Sequence, residues 1–151
     1  MSPVAARAYG PVMPLFHPWR VLRGLPDVTL RWERMPGRLG HWCQRSRTIT
    51  LHPDQSQAER RSTLSHELRH LAAGHAEECS AATELEVCVQ AARDLIALDA
   101  LADALVWSQD EWEVADELWV DVETARARID NLTESEKSYI ERRMAANEGA
   151  A

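Results

Sequence analysis

Leucines at 64, 68 and 71, with polar residues filling most of the positions between them, set a 3.6-residue rhythm that predicts a helix with one apolar stripe. Its ends are marked. Ser56-Gln57-Ala58-Glu59 is a capping box: the serine hydroxyl accepts from a first-turn N–H and the glutamate reaches back, so the helix is expected to begin near Gln57. Gly74 stands where a left-handed residue closes a helix. A second helix is expected over 81–98. Upstream, the shorter segments 28–33, 39–44 and 47–51, separated by Met35-Pro36-Gly37 and by Arg45-Ser46, predict three strands. Pro18 opens a short helix through Leu22, stopped by Gly24 and Pro26, and residues 1–15, with Pro3, Pro11 and Pro14, read as a flexible terminus. Beyond Leu98 start signals recur: Asp99 before 100–107, Ser108 with Glu111, Asp121 before 122–129, and Thr133 with Glu136. The expected fold is α+β: a small antiparallel sheet packed on the two longer helices, followed by a short all-helical C-terminal cap. No long linker interrupts it, so 16–146 is expected to be one domain with a core over 16–98 and the cap over 99–146.

The first long helix carries His66-Glu67-Leu68-Arg69-His70, which fits H-E-x-x-H. Residues four apart on a helix share a face, so the two imidazoles can hold one Zn²⁺ while Glu67 faces the water that the ion activates. The spacing points to a zinc-dependent peptidase with Glu67 as general base. A catalytic zinc keeps three protein ligands, so a third is needed. The extended form of the motif is absent, because Gly74 and His75 fall at the wrong offsets and position 76 is Ala76. His75 reads instead as a helix-end histidine beside the C-terminal carbonyls. The second helix offers Glu84 and Glu86. Glu84 continues the stripe of Cys88, Ala91 and Leu95, whereas Glu86 lies with Gln90 and Arg93, so helical geometry favours Glu84 as the ligand. A donor for the reaction's oxyanion is not fixed by spacing: Arg69, His75, His52 and Tyr139 are all open.

These residues resemble the ImmA/IrrE-type metallopeptidases. The likeness rests on Thr48-Ile49-Thr50-Leu51, on Ala58-Glu59-Arg60-Arg61-Ser62-Thr63-Leu64-Ser65 running into His66 to His70, and on Glu84-Leu85-Glu86-Val87 with Ala91-Ala92-Arg93-Asp94-Leu95-Ile96. It spans roughly 28–131. Arg69 replaces a small residue usual before the second histidine, and Val87-Cys88 replaces the Ala-Asp or Ala-Asn pair usual after the glutamate. The resemblance implies a cytoplasmic zinc peptidase, several relatives of which cut a helix-turn-helix repressor and so release mobile-element or stress-response genes.

Composition narrows the alternatives. At 151 residues, 45% of them hydrophobic, the chain is long enough for a real core. No stretch is long and apolar enough to span a membrane, and residues 1–18 lack the apolar run of a secretory signal, so neither insertion nor export is expected. Cys43, Cys79 and Cys88 are odd in number and lack C-x-x-C spacing, as for reduced cytosolic thiols; a thiolate ligand from Cys79 or Cys88 is the lesser alternative to packing. The segment 113–128 superficially suggests a helix-turn-helix, which raises a DNA-binding module as a rival reading. Charge opposes it: residues 98–143 hold 13 Asp and Glu against 5 Lys and Arg, a net of −8, and phosphate contacts need the other sign. Such a cap, with Trp107, Trp112 and Trp119 expected to supply packing, would suit a basic protein partner such as a DNA-binding repressor. A non-catalytic zinc-binding regulator is the other alternative.

Overall fold

In a computed structural model, residues 16–76 and 79–150 are described; the expectation for 1–15 lies outside them. Helix α1 (Pro18–Arg23) starts with Pro18 at its first position, where a missing N–H costs nothing, behind His17 as cap. Three short strands follow, β1 (Thr29–Trp32), β2 (Gly40–Cys43) and β3 (Thr48–Leu51). Their order across the sheet is β1-β3-β2. The sheet is therefore mixed rather than antiparallel. β2 and β3 form the expected hairpin with Trp42 opposite Ile49, but β1 runs parallel to β3, with Leu30 opposite Ile49. The reason is the link between β1 and β2, which holds seven residues, 33–39: it spans the width of an intervening strand, roughly 10 Å across two strand spacings, so β3 settles between them. Both β1 and β2 are thus edges.

Helix α2 (Gln57–Ala73) has the full capping box at Ser56 and Glu59, and closes at Gly74 with φ 67°. Gly74 N–H donates to Leu71 O and His75 N–H to His70 O, the paired bonds of a Schellman motif. Leu64 and Leu68 turn inward to Trp42, Ile49 and Leu51, forming one apolar cluster with Trp19, Leu22 and Leu25 at its margin. Helix α3 (Ala81–Leu95) ends earlier than its apolar pattern suggests. At Ile96 the backbone turns extended (φ −121°, ψ 97°), and the carbonyl it exposes accepts from Arg128 Nε at 3.0 Å.

Helices α4 (Leu98–Trp107), α5 (Glu111–Leu118), α6 (Val122–Asp130) and α7 (Glu134–Gly149) complete the chain. Two start signals shift. α4 is capped at Ala97 without a side-chain bond, leaving Asp99 in the first turn, where it accepts from Tyr139. α5 is capped by Asp110, whose carboxylate takes two N–H groups, while Ser108 supports Asp110. Asp121 and Thr133 cap α6 and α7. A second apolar cluster joins Leu95, Ile96, Leu101, Val114, Val120 and Ile140. The expected packing of three tryptophans in this region does not occur: Trp107, Trp112 and Trp119 are more than half exposed, and smaller residues, Ala102, Ala104, Ala115 and Ala125, fill the interior. Small side chains let the short helices approach closely. Within this half the Arg128 guanidinium is 4% exposed and forks onto Glu136, which Arg93 also contacts. Arg128 holds the Glu136 carboxyl well down, to about 2.

Candidate metal centre

The cleft lies where α2 leaves the sheet and meets α3 and α6, with a volume near 750 Å³. β2 forms one wall and α6, with Glu123 and Thr124, the other; Glu67, His66, His70 and Glu84 stand on its floor and rim.

The capping box and the leucine stripe fix how α2 is rotated, and that rotation turns His66, Glu67 and His70 to the cleft side. His66 Nε2 and His70 Nε2 are 3.1 Å apart, and Glu84 reaches both, Oε2 at 3.0 Å from His66 and Oε1 at 2.9 Å from His70. Ser80 caps α3, which places Glu84 in that helix's first turn, facing α2. The face that helical geometry assigns to Glu84 is the one that meets the histidines; its burial is less than the apolar stripe suggests, since its side chain is 47% exposed at the rim. Glu86 is exposed and does not line the cleft.

Two imidazole nitrogens and a carboxylate turned toward one point form a group that could hold a cation. With nitrogen and oxygen ligands at about 2.0–2.1 Å from zinc, tetrahedral donors stand roughly 3.3 Å apart. The three separations here fit that. Burial pushes His70 below the ordinary imidazole range, so that it stays neutral and keeps a lone pair to give. Glu67 is held elsewhere: it is 6% exposed, accepts from Trp42 N–H, and is raised to about 8 by burial and by the Glu84 charge. A cation among His66, His70 and Glu84 would draw that value down again.

Several residues of the cleft escape a reading of spacing alone. Gly40 on β2 passes so close to α2 that a Cβ there would collide with Thr63 Cγ2 and come to 3.1 Å from Glu67 Oε1. Arg38 and His41, hydrogen-bonded at 3.1 Å, line the same wall. Among the described residues Arg38 is the one Lys or Arg lining the cleft. A loop position and an edge strand reveal such residues only once the sheet order is known. Of the four oxyanion candidates, none lines the cleft. Arg69 forks onto Asp94 and ties α2 to α3, which accounts for a large residue at this place; His52 Nδ1 accepts from Asp54 N–H; Tyr139 serves α4. His75 instead stands behind His70, its Nδ1 3.1 Å from His70 Nδ1. Cys79 Sγ lies 3.7 Å from the same nitrogen, and Cys88 Sγ lies 3.6 Å from His66 Nδ1. Burial and the neighbouring Glu84 charge push both thiols up.

Residues 23–130 match the IrrE N-terminal-like domain, a peptidase family, and the chain belongs to that family of metallopeptidases. No curated protein and no solved structure matches the chain.

Proposed function

We propose that this chain is a zinc-dependent endopeptidase, with His66, His70 and Glu84 holding the ion and Glu67 acting as general base. The observation that carries the proposal is the convergence of three potential ligand atoms, from His66, His70 and Glu84, beside a buried carboxyl in an open cleft. When bound, zinc supplies a Lewis acid that acidifies a water and polarises the scissile carbonyl. Glu67, fixed by Trp42 N–H, is the group that takes the water's proton and returns it to the leaving amine. Arg38 and His41, on the wall that faces it, are the side chains placed to donate to the developing oxyanion. β2 is an edge strand along the cleft, so an extended peptide can add to the sheet there through main-chain hydrogen bonds.

The substrate we infer is a regulatory protein of the helix-turn-helix repressor type, met in the cytoplasm by one domain over 16–146, without direct contact to nucleic acid. Family membership and the acidic helices α4 to α7, which favour a basic DNA-binding partner, support this. Elemental mass spectrometry of the tag-free protein is expected to find about one zinc per chain. Glu67→Gln is expected to keep that zinc and lose at least 1,000-fold in hydrolysis of a repressor substrate, about 4 kcal/mol of transition-state stabilisation. Hydrolysis at near-parent rate in Glu67→Gln would remove Glu67 from its role; absence of zinc would remove the reading.

A further inference from the structure

His70 has two faces with metal-ligand geometry, and only one belongs to the centre described above. Its Nε2 meets His66 and Glu84. Its Nδ1, on the opposite edge of the ring, meets His75 Nδ1 at 3.1 Å and Cys79 Sγ at 3.7 Å. From zinc–nitrogen and zinc–sulfur bonds of about 2.0–2.1 and 2.3 Å, tetrahedral donors stand roughly 3.3 Å apart for two nitrogens and roughly 3.6 Å for nitrogen and sulfur. The two separations from His70 Nδ1 fit that spacing, and the third pair of donor atoms, on His75 and Cys79, lies within 4.8 Å.

An outer-sphere contact to His70 Nδ1 needs only one of these two groups; Cys79, whose thiol also reaches Ala76 O at 3.7 Å, is the second. A metal-bound imidazole has one N–H to give, and one partner satisfies it. His66 shows this simple case, with the single thiol of Cys88 against its Nδ1. At His70 two such groups converge, and one of them is held by the backbone: the Schellman closure at Gly74, in which His75 N–H donates to His70 O, sets the His75 ring edge-on against that of His70.

We propose that His70 Nδ1, His75 and Cys79 form a second, thiol-containing metal seat that competes with the peptidase centre for the His70 ring. A neutral imidazole offers one lone pair, so the ring serves one ion at a time. Binding at the second seat releases the Cys79 proton to solvent and sets a thiolate on the ion, a donor set that selects thiophilic metals. With His70 drawn to that side, the first centre keeps only His66 and Glu84. The peptidase would then be switched off by the metal it uses or by a softer one. The inference rests on the proposed ligand set, and the test separates the two.

The probe is cobalt(II), titrated into the full chain after chelation and thiol reduction, with near-ultraviolet sulfur-to-cobalt absorption as readout. In the parent the band is expected to be weak at one equivalent, because Glu84 holds the ion at the first centre. In Glu84→Ala the residual cobalt is expected to bind at least tenfold more weakly and to carry the full band. Cys79→Ser or His75→Ala in that background should abolish the band, and Cys88→Ser should leave it; circular dichroism checks that each variant is folded. Cobalt bound to Glu84→Ala without the band, no cobalt bound to it at all, or a band that survives Cys79→Ser would overturn the second seat. A full band in the parent that Glu84→Ala leaves unchanged would instead overturn Glu84 as a ligand while the thiol seat stands.

Discussion

On the sheet side, Trp42, Ile49, Leu51, Leu64 and Leu68 bury large apolar side chains beneath a polar cleft; on the helical side, alanines and a few aliphatic residues surround a buried ion pair. The two sides use different materials because they bear different tasks. α2 must hold His66, Glu67 and His70 on one face, and a rigid apolar platform fixes its rotation. The helical side supplies one ligand candidate, Glu84, and a wall, so it needs only to hold its short helices in place, which the Arg128 fork onto Glu136 does by tying α6 to α7 and to the end of α3. The candidate metal centre lies across the seam between them.

If the seam is a metal clip, removing the ion should have the largest effect. Chelation is expected to destabilise the parent by about 3–4 kcal/mol relative to a solution holding zinc at roughly 100–1,000 times its dissociation constant, as read by denaturant melts. Melts indifferent to the ion would break the comparison at once. Next comes the polar anchor of the helical side. Glu136→Gln is expected to cost up to about 3 kcal/mol at neutral pH, since a carboxyl lowered from 4.5 to about 2 carries that linkage, while metal content stays as in the parent. The sign is that of a depressed acid: its contribution is complete above about 4.5 and fades as pH falls toward 2. Urea melts between neutrality and acid should therefore steepen in the parent and flatten in the variant; equal slopes would exonerate Glu136.

Smaller effects sharpen the contrast on the sheet side. Gly40→Ala is expected to cost about 1–3 kcal/mol through overpacking against Thr63, and to lower hydrolysis more than unfolding explains, because Glu67 must shift too. A variant slow only in proportion to its unfolded fraction would deny Gly40 a positioning role. Arg69→Ala should be mildest, about 0.5 kcal/mol, because the Arg69 side chain is 37% exposed and solvent screens its pair with Asp94. A loss several times larger would show that this ion pair, rather than the metal, joins the two sides.

What was legible in the sequence was local. The capping box, the leucine stripe and Gly74 define α2 within a few neighbouring residues, and helical spacing brings His66 near His70 and selects the face of Glu84 over that of Glu86. Strand positions were legible as well, but their pairing was not: whether β1 joins β2 or β3 depends on where a seven-residue link lies in space. Long-range partners were also hidden. Nothing near Arg128 announces that it will cap Ile96, and nothing near Gly40 announces Glu67. The tryptophans misled because size suggests burial, whereas short helices crossing closely leave room only for alanine.

Ser62, one turn before His66, accepts a hydrogen bond from Asp121 N–H at 3.0 Å, and Arg61 beside it donates to the carbonyls of Leu118 and Trp119. These bonds bear on how the gene can be edited. A recombination or stop at the natural-looking seam near Leu98 removes the acceptors of Arg61, the donor to Ser62 and the Glu123 and Thr124 wall of the cleft in one stroke. An exchange of the acidic helices as a cassette would therefore have to restore the partners of Arg61 and Ser62 and the second wall of the cleft together.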